Sequence, residues 1–182
     1  MKLRVLAAVF AAGLLVAAHN AQAAGRSAAA PASIVGDGQY HSITNGGTTS
    51  GGSRLALEVE GQCAAPTGYA DINTYDASHA SEQWKFFANG DGTANIQDSC
   101  NPSMALTAPT ESGGAVTLTH RDTSNITPQQ KWNVTQDANG VLTIASAPTG
   151  SVLDTCGTWA AGSTVVVDPD RQHTTQRWTV LS

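Results

Sequence analysis

From about residue 36 onward the chain is written in short runs where apolar and polar residues alternate, a period of two that marks strands rather than helices. Ala70-Asp71-Ile72-Asn73-Thr74-Tyr75, Ala94-Asn95-Ile96-Gln97, Ala115-Val116-Thr117-Leu118-Thr119 and Val141-Leu142-Thr143-Ile144 are such runs. Asn89-Gly90-Asp91-Gly92 and Asp137-Ala138-Asn139-Gly140 lie just ahead of two of them, and Asn-Gly or Asp-Gly between alternating segments signals a hairpin.

The runs also recur. Glu82-Gln83-Trp84, Gln130-Lys131-Trp132 and Gln176-Arg177-Trp178 place tryptophans 48 and 46 residues apart. Upstream, Leu57-Glu58-Val59, Leu106-Thr107-Ala108 and Leu153-Asp154-Thr155 place leucines 49 and 47 apart. A period of this length means copies of one supersecondary unit. Each copy predicts about four strands, about twelve in all, with copies over residues 37–88, 89–136 and 137–182. The third copy ends one strand after Trp178, and Gln39-Tyr40-His41-Ser42-Ile43 supplies the missing strand at the other end. First strand on last strand leaves no free edge, so a threefold closed all-β barrel is expected.

The first 23 residues stand apart from this pattern. Lys2 and Arg4 precede the apolar stretch Val5 to Ala18, and Ala21-Gln22-Ala23 gives a small-x-small cleavage site, the signature of an export signal peptide. The apolar stretch is too short for a bilayer span, so a secreted or periplasmic chain that is not membrane-embedded is expected. Residues 24–36, including Gly25 to Ser33, are small, Pro-containing and unpatterned and read as a flexible lead-in. Without the signal, seven basic residues face fourteen acidic ones, a formal charge near −7. No basic stripe exists to neutralise phosphates, which argues against a nucleic-acid partner. Cys63, Cys100 and Cys156 allow three pairings and leave one thiol free or available to link a dimer.

The three Gln-x-Trp-like tripeptides, in register with Leu-Asp-Val-like strands, resemble the ricin B-type β-trefoil lectins and carbohydrate-binding modules. The resemblance spans about Asp37 to Ser182 and implies an all-β β-trefoil whose partners are glycans or polysaccharide. It also implies that the repeated tryptophans and leucines fill the core, with Gln130 and Gln176 bracing loops through their amides.

The sugar pockets implied by the resemblance lie beside that scaffold. Each uses an acid in the Leu-Asp-Val strand, an aromatic platform on the alternating strand and polar residues just ahead of the Gln-x-Trp. A carboxylate accepts bonds from two sugar hydroxyls, and an aromatic face meets the C–H groups of the ring. Carried over, the first copy offers Glu58 as acid, Asn73 as amide and Tyr75 as platform, with Ser81 and Glu82 where the family has Asn and Gln. The second has Thr107, Thr117 and Thr119, without charge or platform. In the third, Asp154 keeps the acid and Gln176 the glutamine, while Val166 and Asp168 replace amide and aromatic. Trp159, five residues past Asp154, is either a substitute platform or a cover for one barrel end.

Asp76/His79 and Asp170/His173 recur ahead of Trp84 and Trp178, read as loop-bracing pairs rather than metal ligands. The sequence therefore predicts no metal and no cofactor. No Gly-x-Ser-x-Gly, His-Glu-x-x-His or phosphate-loop motif occurs, so a binding module is expected rather than an enzyme. The alternative is a β-trefoil that binds or inhibits a protein, because platform aromatics are missing from two copies.

Overall fold

The computed structural model describes residues 33–64, 66, 68–157 and 159–181. The expected signal peptide and the lead-in up to residue 32 lie outside the described residues. Thirteen strands follow one another, grouped four, four and five. The first group is β1 (Ser42–Thr48), β2 (Arg54–Val59), β3 (Ala70–Thr74) and β4 (Trp84–Ala88). The second is β5 (Ala94–Asp98), β6 (Met104–Thr107), β7 (Thr117–His120) and β8 (Trp132–Gln136). The third is β9 (Val141–Ser146), β10 (Val152–Asp154), β11 (Ser163–Thr164), β12 (Val166–Asp168) and β13 (Trp178–Leu181). Twelve strands became thirteen because Val165 leaves the ladder between β11 and β12. A 3₁₀ turn precedes each repeated tryptophan, at Ala80–Glu82, Pro128–Gln130 and Thr174–Gln176.

The tryptophans are the core. Trp84, Trp132 and Trp178 are fully buried, as are Leu57, Leu106 and Leu153. A buried indole N–H needs an acceptor. Each finds the carbonyl of its own copy's leucine: Trp84 Nε1 to Leu57 at 2.9 Å, Trp132 Nε1 to Leu106 at 3.0 Å, Trp178 Nε1 to Leu153 at 3.1 Å. One side chain thus fills the interior and ties the third and fourth quarters of its copy back to the second.

The copies are also joined to one another by backbone. Ala70 N–H donates to the Val116 carbonyl at 3.0 Å, Val116 N–H to Val165 at 2.9 Å, and Val165 N–H to Ala70 at 2.9 Å. These three residues occupy the same position in each hairpin, and all are buried. The ring of three bonds is explained by small or β-branched residues there, which let three backbones meet.

First and last strands pair as expected, from Ser42 opposite Leu181 to Asn45 opposite Trp178. Closure of the barrel differs from the expectation. The paired sheet runs open from β11 to β7, and the start of β1 meets β4 through a single bridge, His41 with Trp84. At the seam between β1 and β4, Asp37 Oδ1 accepts the Gln39 N–H at 2.9 Å, and Oδ2 lies 2.9 Å from His41 Nε2. Those bonds take Gln39 out of the ladder, and the strand starts at Ser42. The described end of the lead-in is packed rather than loose. Ile34 is buried in the core cluster, and Gly36 N–H bonds the Phe86 carbonyl at 2.8 Å.

Cys63 and Cys100 form a disulfide, which leaves Cys156 as an exposed free thiol. Among the described residues no helix is long and apolar enough to cross a membrane.

If the indole bond is the shared support, replacing any of the three tryptophans by phenylalanine should cost a similar amount. The lost donor strands a buried carbonyl and the smaller ring leaves a void, together about 2–4 kcal/mol. Urea denaturation of Trp84→Phe, Trp132→Phe and Trp178→Phe checks this, with the three losses expected within about 1 kcal/mol of one another.

Candidate functional site

Hairpin register decides which residues are equivalent. Leu57 pairs with Ile72, Leu106 with Leu118, and Leu153 with Val167. One step along, Glu58 faces Asp71, Thr107 faces Thr117, and Asp154 faces Val166. Counting one residue past Ile72, Leu118 and Val167, the platform position holds Asn73, Thr119 and Asp168. Tyr75 is not in it. Tyr75 lies two residues further on, half-buried, with its N–H on the Arg54 carbonyl at 2.9 Å. The carry-over in the first copy is therefore corrected by two positions: Asn73 holds the platform place, and Asp71 holds the amide place. The slip has a simple cause, since a shift of two along a strand keeps every side chain on the same face.

The third copy keeps the acid and the amide together. Gln176 Nε2 donates to Asp154 Oδ2 at 3.0 Å and to the Pro169 carbonyl at 2.9 Å. Its Oε1 accepts the N–H groups of Arg171 at 2.9 Å and His173 at 3.3 Å. The amide is thus held on both sides and aims the Asp154 carboxylate, whose Oδ1 takes the Cys156 N–H at 3.1 Å. Asp168 is tied to Arg171 and accepts from Ser112 Oγ at 3.1 Å. Trp159 is 44% exposed, and its ring lies against Gly47: a Cβ there would come 2.5 Å from the indole Cγ. It covers that end of β1 while leaving much of its surface to solvent. Burial, then the charges of Asp154 and Asp168, push the Cys156 thiol up, away from the reactive thiolate.

The second copy consumes its own polar groups. Thr107 Oγ1 and Thr119 Oγ1 are 2.7 Å apart, and Gln130 Nε2 donates to Thr119 Oγ1 at 2.8 Å and to the His120 carbonyl at 3.0 Å. Its amide braces the loop, as the sequence suggested.

The first copy has exchanged that amide for an acid. Glu58 accepts from Ser81 Oγ at 2.8 Å, and Glu82 Oε2 accepts the Asp76 N–H at 3.0 Å. Glu82 is fully buried, and burial pushes its carboxyl up to about 7, with repulsion from Glu58 adding to the rise. Asp71, across the hairpin from Glu58, is likewise raised to about 7 by burial and then by Glu58 and Glu60. Asp71 was missed in the sequence, because only the pairing of Leu57 with Ile72 places it opposite Glu58.

Comparison with solved structures shows what this arrangement is. The designed threefold-symmetric protein ThreeFoil superposes with a TM-score of 0.63 at 18% identity, over 79% of this chain and 98% of its own. The ricin B-like lectin of Macrolepiota procera, in complex with lactose, gives 0.57 at 20% identity, over 80% of this chain and 96% of its own. The fold is that of the ricin B-type β-trefoils. The same trefoil also matches part of an exo-β-1,3-galactanase from Clostridium thermocellum, with a TM-score of 0.65 at 20% identity. That match covers 81% of this chain but only 31% of the galactanase. Lectins and glycosidases thus both occur among the trefoil's structural neighbours. No protein-family model matches the chain, and no curated protein matches it in sequence.

The raised carboxyls give the trefoil a pH signature. Asp71 and Glu82 keep their protons to about pH 7 when folded, against ordinary values of 3.8 and 4.5. Between those limits the folded chain binds more protons than the unfolded one, so their contribution is complete below about pH 4 and is lost as pH rises through about 7. Urea denaturation with a chelator present should therefore show a fall in stability from pH 5 to pH 8 that is smaller in Asp71→Asn than in the parent chain. An equal fall in both would contradict the assignment.

Proposed function

We propose that the chain is an exported, non-enzymatic carbohydrate-binding module that engages glycan at its third copy. One observation carries the reading: Gln176 holds the Asp154 carboxylate at 3.0 Å in the third copy of a ricin B-type trefoil. An oriented carboxylate with free lone pairs can accept bonds from neighbouring sugar hydroxyls. The lactose-bound Macrolepiota lectin supports a sugar as the ligand class for this fold. Trp159 supplies exposed aromatic surface in the loop that follows Asp154. Non-aromatic residues at all three platform positions make the site weak, because a shallow polar pocket exchanges water hydrogen bonds for sugar ones at little net gain. The first copy, with Glu58 and Tyr75, is the lesser candidate: its acid faces a second carboxylate, Glu82, where Asp154 meets an amide, and its aromatic stands off the platform position.

The same missing aromatics favour a second reading, a trefoil whose loops bind a protein, either as an inhibitor or through the exposed Cys156 thiol in a linked dimer.

A glycan and polysaccharide panel separates the readings. Binding is expected for the parent chain, weakened about 10-fold or more in Asp154→Asn and about 3- to 10-fold in Trp159→Ala. Glu58→Gln and Tyr75→Ala should bind like the parent. Loss in those two alone would move the site to the first copy, and no glycan binding at millimolar sugar would leave the protein-binding reading in possession.

A further inference from the structure

The position two residues before each repeated tryptophan is glutamine in two copies and glutamate in one. Glutamine offers two N–H donors there, and both Gln130 and Gln176 use them on oxygen atoms around the pocket. Glu82 has no N–H to donate, and once ionised it offers only acceptors. It faces a second carboxylate, Glu58, instead of donating to one. Glu82 is fully buried, and its Oε1 has no hydrogen bond. His79 Nδ1 stands 3.7 Å from it, itself buried at that atom and without a hydrogen bond. One ligating atom from each of Glu58, His79 and Glu82 lies within 4.8 Å of the others. A buried carboxylate oxygen without a hydrogen bond, set beside a second carboxylate and a ring nitrogen, is costly unless a cation stands among them.

We propose that Glu58, His79 and Glu82 bind a divalent transition-metal cation, of which zinc is the type. Two carboxylate oxygens and one imidazole nitrogen form a mixed O/N donor set that suits zinc. Calcium wants six to eight oxygens and magnesium a near-ideal octahedron of them, so neither fits a set built on imidazole. Donors around zinc stand about 3.4 Å apart, close to the 3.7 Å already separating His79 from Glu82. The other ring nitrogen of His79 lies 3.8 Å from Asp76 Oδ2, the kind of outer carboxylate that orients a metal-bound histidine. His79 is partly exposed, which gives the ion a way in and leaves room for water as a fourth ligand.

The bound ion would tie the 3₁₀ turn Ala80–Glu82 and the loop before it to β2. The first copy then uses its acid for a cation, while the third pairs its acid with the Gln176 amide. The inference stands apart from the sugar reading, since zinc binding needs no glycan and glycan binding at Asp154 needs no zinc.

The test is isothermal titration of zinc chloride into the untagged, chelator-treated chain at pH 7.5, with thermal melts alongside. One zinc per chain is expected, with a raised melting temperature. Both effects should weaken at least about 10-fold in Glu82→Gln and in His79→Ala. Glu82→Gln should still fold, because its amide can donate to Glu58 as Gln176 does to Asp154. Should it fail to fold, His79→Ala on the part-exposed loop decides the matter alone. Cys156→Ser should bind zinc like the parent. No binding up to millimolar zinc, binding that survives both site variants, or binding lost only in Cys156→Ser would each overturn the proposal.

Discussion

One hydrogen bond, made three times, organises this molecule. The indole N–H of each repeated tryptophan reaches the carbonyl of its copy's leucine at 2.9 to 3.1 Å, with all six residues fully buried. The bond satisfies two polar groups that would otherwise be stranded, and it delivers the largest side chain of the copy to the interior. A second threefold device, the ring of backbone bonds through Ala70, Val116 and Val165, locks the three hairpins to one another. Neither device leaves much freedom for one copy to differ from another inside the barrel.

Difference is therefore pushed to the rim, and there it is governed by the residue two before each tryptophan. Gln176 orients a carboxylate and leaves it part of its accepting capacity. Gln130 spends its amide on the threonines and carbonyls beside it, and the second copy closes on itself. Glu82 has no amide to spend and faces Glu58 across a buried gap. A change of one amide to one carboxylate on a fixed frame alters what a copy can bind without altering how it folds. The comparison within one chain is cleaner than any between proteins, because the surrounding scaffold is the same three times.

The frame was legible in the sequence because tryptophan and leucine are large, sparse and evenly spaced. Their spacing carried the strand order, the pairing of first strand with last and the burial of the rings. The rim was less legible, for reasons specific to particular residues. Asn73 and Tyr75 are two residues apart in one alternating run, so alternation could not say which of them aligns with Thr119 and Asp168; only the pairing of Leu57 with Ile72 does. Gln39 and Tyr40 alternate like a strand but stand outside the ladder, with the Gln39 N–H held by the Asp37 side chain, and only His41 bridges Trp84. Ile34 sits in a stretch of small residues and looked unpatterned, since a single buried side chain has no period to detect. Which two cysteines pair depends on loops meeting in space, and no spacing along the chain encodes it.

Hydrogen exchange at the tryptophan indoles tests the threefold frame most directly. Four indole Nε1–H resonances are expected in the spectrum of the chain, three buried and one from half-exposed Trp159. If the three bonds share one frame, the protons of Trp84, Trp132 and Trp178 exchange only when the whole domain unfolds, at one common free energy, while Trp159 exchanges within the first spectrum. A repeated tryptophan that exchanges orders of magnitude faster than the other two would show that its copy opens independently, and would contradict the account.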